Sequence, residues 1–155
     1  MNEVLTHPGQ PQMQVEVILA SAANACPHIY TIRMRYPRPI HGEIMTHRVF
    51  GRNARSSRAV PVKTMLNEVR NTPYVPWHWG KNQKGMQADE ECDEYLTNQN
   101  RYSDLQPTHL SREDAWLQAR DFAANTAEAF MEAGYHKQNP NRLLEPFSWI
   151  DTLIT

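Results

Sequence analysis

Several features that usually assign a class are scarce in this chain. Only two cysteines, Cys26 and Cys92, occur in 155 residues. That is too few for a disulfide scaffold, and they lack the count and spacing of a zinc site. They read as free thiols in a reducing compartment, with no metal centre. No apolar stretch approaches the roughly 20 residues that span a bilayer. Met1 to Pro11 also lacks the basic-then-apolar order of a secretory signal. A cytoplasmic protein without membrane contact is expected. Net charge is scarce too: the formal value is -1 at pH 7, which argues against a nucleic-acid coat. With 40% apolar residues, the chain suffices for one compact domain with a genuine core.

Acid is missing locally. From Arg33 to Lys63 the chain carries eight basic residues (Arg33, Arg35, Arg38, Arg48, Arg52, Arg55, Arg58, Lys63) against the single acid Glu43. Such a field attracts a phosphate-bearing partner while the remaining surface stays acidic. Inside it, Thr46 to Ala59 concentrates arginine, amide and hydroxyl groups. Arg48, Arg55 and Arg58 offer fork-shaped donors for phosphate or a pyrimidine carbonyl. Ser56 and Ser57 can meet oxygens of the same ligand, beside exposed backbone N–H groups. The alternative is a solvated basic turn whose arginines pair with acids elsewhere.

The periodicities predict an α+β fold. Residues 1–12, polar and proline-punctuated, read as a loose arm, with the domain over 13–155. Gln14 to Ala20 reads as a strand. Ile29 to Tyr36 alternates, with Tyr30, Ile32, Met34 and Tyr36 on one face and Thr31, Arg33 and Arg35 on the other. A short helix is expected over Ile40–Phe50, with Ile40, Ile44 and Val49 apolar and Glu43 and His47 sharing a face. Asn53–Ser57 reads as a turn. Val60–Val69 reads as a helix with Pro61 in its first turn and Val62, Met65, Leu66 and Val69 inward. Asn71–Pro107 is irregular, the kind of stretch that forms binding surface. Within it, Trp77–Gln87 either covers a planar ligand or anchors its own loop, and Asp89–Leu96 suggests a brief helix.

The longest helix starts at the cap Ser111, with Asp114 in its third position, and stops at Gly134. Its alanines imply close contact with another element, in this subunit or another. Asn141–Pro146 reads as a turn or short helix. Phe147–Thr155 reads as a strand whose apolar residues require a pairing partner, so the sheet is expected to be incomplete at this end.

The order of residues is more specific than their composition. His47-Arg48, seven intervening residues and Ser56, with Asn53 and Arg58 in register, resembles the signature of the flavin-dependent thymidylate synthases. The phage and bacterial subgroup is similar over His41, Glu43, Met45–Arg48, Arg52, Asn53, Ser56–Ala59 and Pro61. Asn82–Gln87, His136–Gln138 and Asn141–Pro146 also resemble segments of that subgroup. The likeness runs from about Val15 to Thr155. Thr46 replaces the first arginine of the general signature, as in the subgroup, and Gly51 stands where a serine is usual. Family members continue past the strand that begins near Phe147, so the resemblance implies a chain incomplete at its C-terminus.

The resemblance implies reductive methylation of deoxyuridine monophosphate (dUMP) to thymidylate (dTMP). Methylenetetrahydrofolate supplies the carbon, reduced FAD the hydride and NADPH the flavin's electrons, in a homotetramer with flavin between subunits. By position, His47, Arg48 and Asn53 would serve the cofactor. Glu43, Arg55, Ser56, Arg58 and Arg142 would serve the nucleotide. Ser56 and Arg142 would stand nearest the chemistry. Ser56 would orient pyrimidine or phosphate, since no neighbouring base is arranged to activate it. Arg142 would stabilise negative charge as C5 becomes nucleophilic. Glu43 would border the nucleotide or hold Arg48 or Arg58. The other function compatible with the likeness is a homologue that binds flavin or nucleotide without turnover.

Overall fold

Five antiparallel strands form the main sheet of the computed structural model, which describes residues 4–98 and 108–155. In chain order the elements are β1 (Val4–His7), β2 (Gln10–Ser21), β3 (Ile29–Pro37), α1 (His41–Ile44), β4 (Arg52–Ala54), α2 (Val62–Asn71), β5 (Leu96–Asn98), β6 (Thr108–Leu110), α3 (Arg112–Glu132), α4 (Gln138–Leu144) and β7 (Trp149–Ile154). The sheet runs β1-β2-β3-β7-β4, and β5 and β6 make a separate ribbon. The result is a single small α+β domain. No helix among the described residues is long and apolar enough to cross a membrane.

Strand registers explain the two faces of the sheet. Val15 lies opposite Met34 and Val17 opposite Ile32, while Leu5 lies opposite Val15. Paired residues point to the same side of a sheet, so these form one apolar face. Glu16 and Arg33, also paired, lie on the other face and bridge at 2.9 Å. Helix α1 and the turn before it cover part of the apolar face: Ile40 and Ile44 join Leu5, Met13, Val15 and Met34 around a groove of about 440 Å³. Val17 and Tyr30 stay exposed there.

The helices pack on the opposite side. Val62, Met65, Leu66 and Val69 of α2 form a core with Ala124 and Ala127 of α3, Leu144 of α4 and Phe147. Each large side chain buried there contributes about 1.5–3 kcal/mol. The core extends to Trp149, whose Nε1 donates to the Thr72 carbonyl at 2.8 Å. Tyr74 meets Trp77, Trp116 and Trp149 edge-on. For Ala124 and Ala127, the close partner implied by the alanines is supplied within this chain.

Several expectations hold. The α2 face is the predicted one. Helix α3 begins at its Ser111 cap, which accepts from the Asp114 N–H, and Gly134 follows it at φ 81°, a left-handed conformation that glycine adopts without steric cost. Other expectations are corrected. Residues 4–12 are not a loose arm, because Val4–His7 pairs with β2. The Ile40–Phe50 helix shrinks to α1 and a following turn, so Glu43 and His47 share no helical face, and Val49 is 91% exposed. Asn53 and Ala54 belong to β4, because both pair with β7. In place of the Asp89–Leu96 helix, Glu91 makes an isolated bridge to Gly80. Strand β7 is not an open edge, since β3 and β4 flank it. The predicted irregular segment is partly bridged, and its 99–107 portion lies outside the described residues.

Candidate functional site

The segment around Ser56 to Ala59 is held by a helix more than eighty positions away in sequence. Asn141 on α4 is fully buried and donates from Nδ2 to the carbonyls of Ser57 (2.7 Å) and Val60 (2.8 Å). Ser57 is buried as well, and its hydroxyl donates to Glu145 Oε1 at 2.5 Å. Arg38 bridges that same carboxylate at 3.3 Å. Lys137 Nζ donates to the Ala59 carbonyl at 3.3 Å. Together these bonds fix the short 3-10 turn Ser57–Ala59 against α4. Ser56, Arg58 and Arg142 are exposed around this junction.

A second network lies under the neighbouring strand. Arg35, from β3, reaches Glu68 at 3.1 Å and Asp151 at 2.8 Å. Arg55, just after β4, reaches Glu68 at 3.2 Å and Asp151 at 3.7 Å. Glu68 also accepts the Trp149 backbone N–H at 3.2 Å. Two arginines and two carboxylates therefore alternate, at side-chain exposures from 12% for Glu68 to 36% for Arg55. A half-buried ring of this kind fixes geometry, and because each arginine reaches both acids, removing one member takes away half of its two partners' charge compensation. Asn53, Arg55, Arg33 and Asp151 border a pocket of about 300 Å³ on this side.

The basic run thus divides. Arg33, Arg35, Arg38 and Arg55 each pair with an acid, and Arg52 donates to the Met45 carbonyl at 2.5 Å. Among the described residues, Arg48, Arg58, Lys63 and Arg142 have no ion-pair or side-chain hydrogen-bond partner. His47 and Arg48 sit on the exposed turn after α1, beside exposed Val49 and Phe50. Free cations of this kind are available to an anionic group such as phosphate, and exposed apolar side chains lie beside them.

Some assigned roles change with this geometry. Ser57 is committed to Glu145 and does not face a ligand. Arg55 is first a member of the Glu68–Asp151 ring, although it still borders the pocket. Glu43 is exposed and forms no ion pair among the described residues, so it holds neither Arg48 nor Arg58. Gly51, which stands where the resembled signature has a serine, is tied down by its backbone: its N–H donates to the Thr155 carbonyl and its carbonyl accepts the Thr155 N–H, each at 3.0 Å. Ser56 Oγ has no hydrogen-bond partner among the described residues.

The sequence reading missed Glu68, Asp151, Glu145 and the anchoring action of Asn141. An acid flanked by Leu66 and Val69 on an amphipathic helix was a readable sign that Glu68 needs a basic partner. Nothing local marked Asp151. His41 carries a further device. Its Nδ1 lies 2.8 Å from the Tyr36 hydroxyl, which lies 2.8 Å from Thr152 Oγ1. Burial, and next the Arg38 guanidinium, hold the His41 pKa below its ordinary value.

Among the described residues, no group of three or more His, Cys, Asp or Glu side chains is arranged to hold a metal ion. The fold and this surface define a small α+β domain with anchored basic turns. Comparison with known proteins finds no matching family model, no matching curated protein and no matching solved structure.

Proposed function

We propose that this chain is a flavin-dependent thymidylate synthase, forming dTMP from dUMP with methylenetetrahydrofolate, NADPH and FAD. The observation that carries this reading is the junction of two signature-like segments far apart in sequence. The Ser56–Ala59 turn and the Asn141–Pro146 segment are bonded through Asn141, Ser57 and Glu145. Both segments leave arginines without acid partners, Arg58 on one and Arg142 on the other, among the described residues.

In this reading Arg58 and Arg142 hold the phosphate and pyrimidine oxygens of dUMP, and Ser56 orients the nucleotide. A guanidinium beside the pyrimidine carbonyl stabilises charge that develops as C5 becomes nucleophilic. His47 and Arg48 hold FAD, with Asn53 at the border of both ligands. Bound flavin supplies the hydride that completes the methyl group. The apolar sheet face with Leu5, Val15, Val17 and Tyr30 exposed supports association with another chain, which in this reading is a homotetramer.

The test is anaerobic incubation of the purified protein with FAD, NADPH, dUMP and methylenetetrahydrofolate, with dTMP measured by chromatography. Formation of dTMP that depends on all four additions is expected. Absence of dTMP while FAD and dUMP both bind would remove the catalytic reading and leave a nucleotide-binding protein.

A further inference from the structure

A separate cavity of about 630 Å³ lies between the Trp79–Leu96 segment and α3. Its size falls within the range of small-molecule sites, roughly 300–1,000 Å³. It shares no lining residue with the Arg33–Asn53–Arg55 pocket and none with the Thr46–Ala59 segment. We propose that this cavity binds a small organic cation with a flat apolar body, of the quaternary-ammonium or aromatic-amine class.

The walls supply the first argument. Trp79 and Trp116 meet edge to face with ring centroids 5.9 Å apart, and Tyr95 and Leu96 complete an apolar surround. Ala115 and Ala119 contribute only methyl groups from α3, which leaves room above the helix. Aromatic faces attract cations through the ring quadrupole, and the attraction grows as the cation sheds water.

The charge balance supplies the second. Arg112 lines the cavity, but its charge is already met by Glu91 at 3.0 Å, Asp93 at 2.7 Å and Glu113 at 3.1 Å. It also donates to the Cys92 carbonyl at 2.7 Å and lies over Trp79. His78 pairs with Glu91 at 2.5 Å. Glu94 lines the same cavity and has no side-chain partner among the described residues. Four carboxylates therefore surround one arginine and one histidine, and the unmatched one is on the wall. An anion would meet the unmatched carboxylate here, whereas a cation meets Glu94 together with the Trp116 and Tyr95 rings of the wall, Arg112 already lying over Trp79.

The site does not depend on the thymidylate reading, and its test is independent of FAD and dUMP. Benzyltrimethylammonium is titrated into the purified protein, with binding followed by tryptophan fluorescence and calorimetry. Phenylmethanesulfonate serves as the probe of similar size and opposite charge. Saturable binding of the ammonium is expected, with the sulfonate at least about tenfold weaker. Glu94→Gln should weaken ammonium binding about fivefold, and Ala119→Leu, which fills the floor from an exposed helical position, should abolish it. Equal affinity for both probes, no saturation below about 10 mM, or unchanged affinity in Glu94→Gln would each overturn the proposal. So would an Ala119→Leu protein of unaltered circular dichroism that still binds. Glu94→Gln changes an exposed side chain, so the proposal stays falsifiable should the helix variant fail to fold.

Discussion

Arg55 and Arg58 stand three positions apart in the same basic run, yet the fold uses them differently. Arg55 closes a ring with Glu68, Asp151 and Arg35, and its charge is largely spent inside the domain. Arg58 sits on the turn clamped by Asn141 and Glu145, exposed and without an acid partner among the described residues. A run of like charge can therefore hold both committed scaffold pairs and guanidinium groups left free at the surface. What separates them is the location of acids brought in by other elements, Glu68 from α2 and Asp151 from β7.

The sharpest way to break this contrast is to attack the scaffold side. Glu68→Ala leaves Arg35 and Arg55 sharing the single carboxylate of Asp151 and the Trp149 N–H without its acceptor. A loss of about 3 kcal/mol in urea-unfolding stability is expected. A loss under about 0.5 kcal/mol would show that the ring contributes little. Asn141→Ala comes next. It removes two buried hydrogen bonds to the Ser57 and Val60 carbonyls and should cost about 2 kcal/mol by the same measurement. The bonds are local to the turn, so dUMP affinity should fall with stability; an unaltered affinity would show that the clamp does not shape the site.

On the recognition side, Arg58→Ala should leave the melting temperature within about 2 °C of wild type, while dUMP affinity falls about tenfold. Arg55→Ala should do the reverse, moving stability more than affinity. If the two variants behave alike, the division between them is wrong.

The smallest effect concerns His41. Burial and Arg38 hold its pKa below the ordinary 6.5, so the unfolded chain takes up that proton first as pH falls. The contribution to stability is full above about pH 6.5 and is lost as pH drops through the lower folded value. With both ring nitrogens protonated, Nδ1 can only donate to the Tyr36 hydroxyl, whose own proton must then point elsewhere. His41→Gln should flatten this part of the stability profile between pH 7 and 5; an unchanged slope would assign it to other groups.

Much of the scaffold was legible because local rules and tertiary packing agree there. The α2 face repeats at helical spacing, Ser111 caps α3, and β3 alternates as half-buried strands do. The failures have two causes. Residues 4–7 become a strand by folding back on β2 across the Pro8-Gly9 turn, a local turn signal outweighed by the polar, proline-punctuated composition. Asn53 and Ala54, by contrast, become a strand because the distant β7 pairs with them, and no local signal encodes that partner. The basic residues of the candidate site were legible as a cluster, but their division was not. Ser57, next to Ser56, turns inward because Glu145 lies beneath it, a contact spanning 88 positions. Glu145 and Asn141 were readable only as members of a similar-looking segment, not as the clamp they form.

The central claim is that the clamped turn presents Arg58 to a pyrimidine nucleotide. Calorimetric titration of dUMP into wild type and Arg58→Ala, both confirmed folded by circular dichroism, tests it most directly. The account predicts saturable binding by the wild type and affinity about tenfold weaker in the variant. Equal affinity in the two proteins, or no binding by the folded wild type, would contradict it.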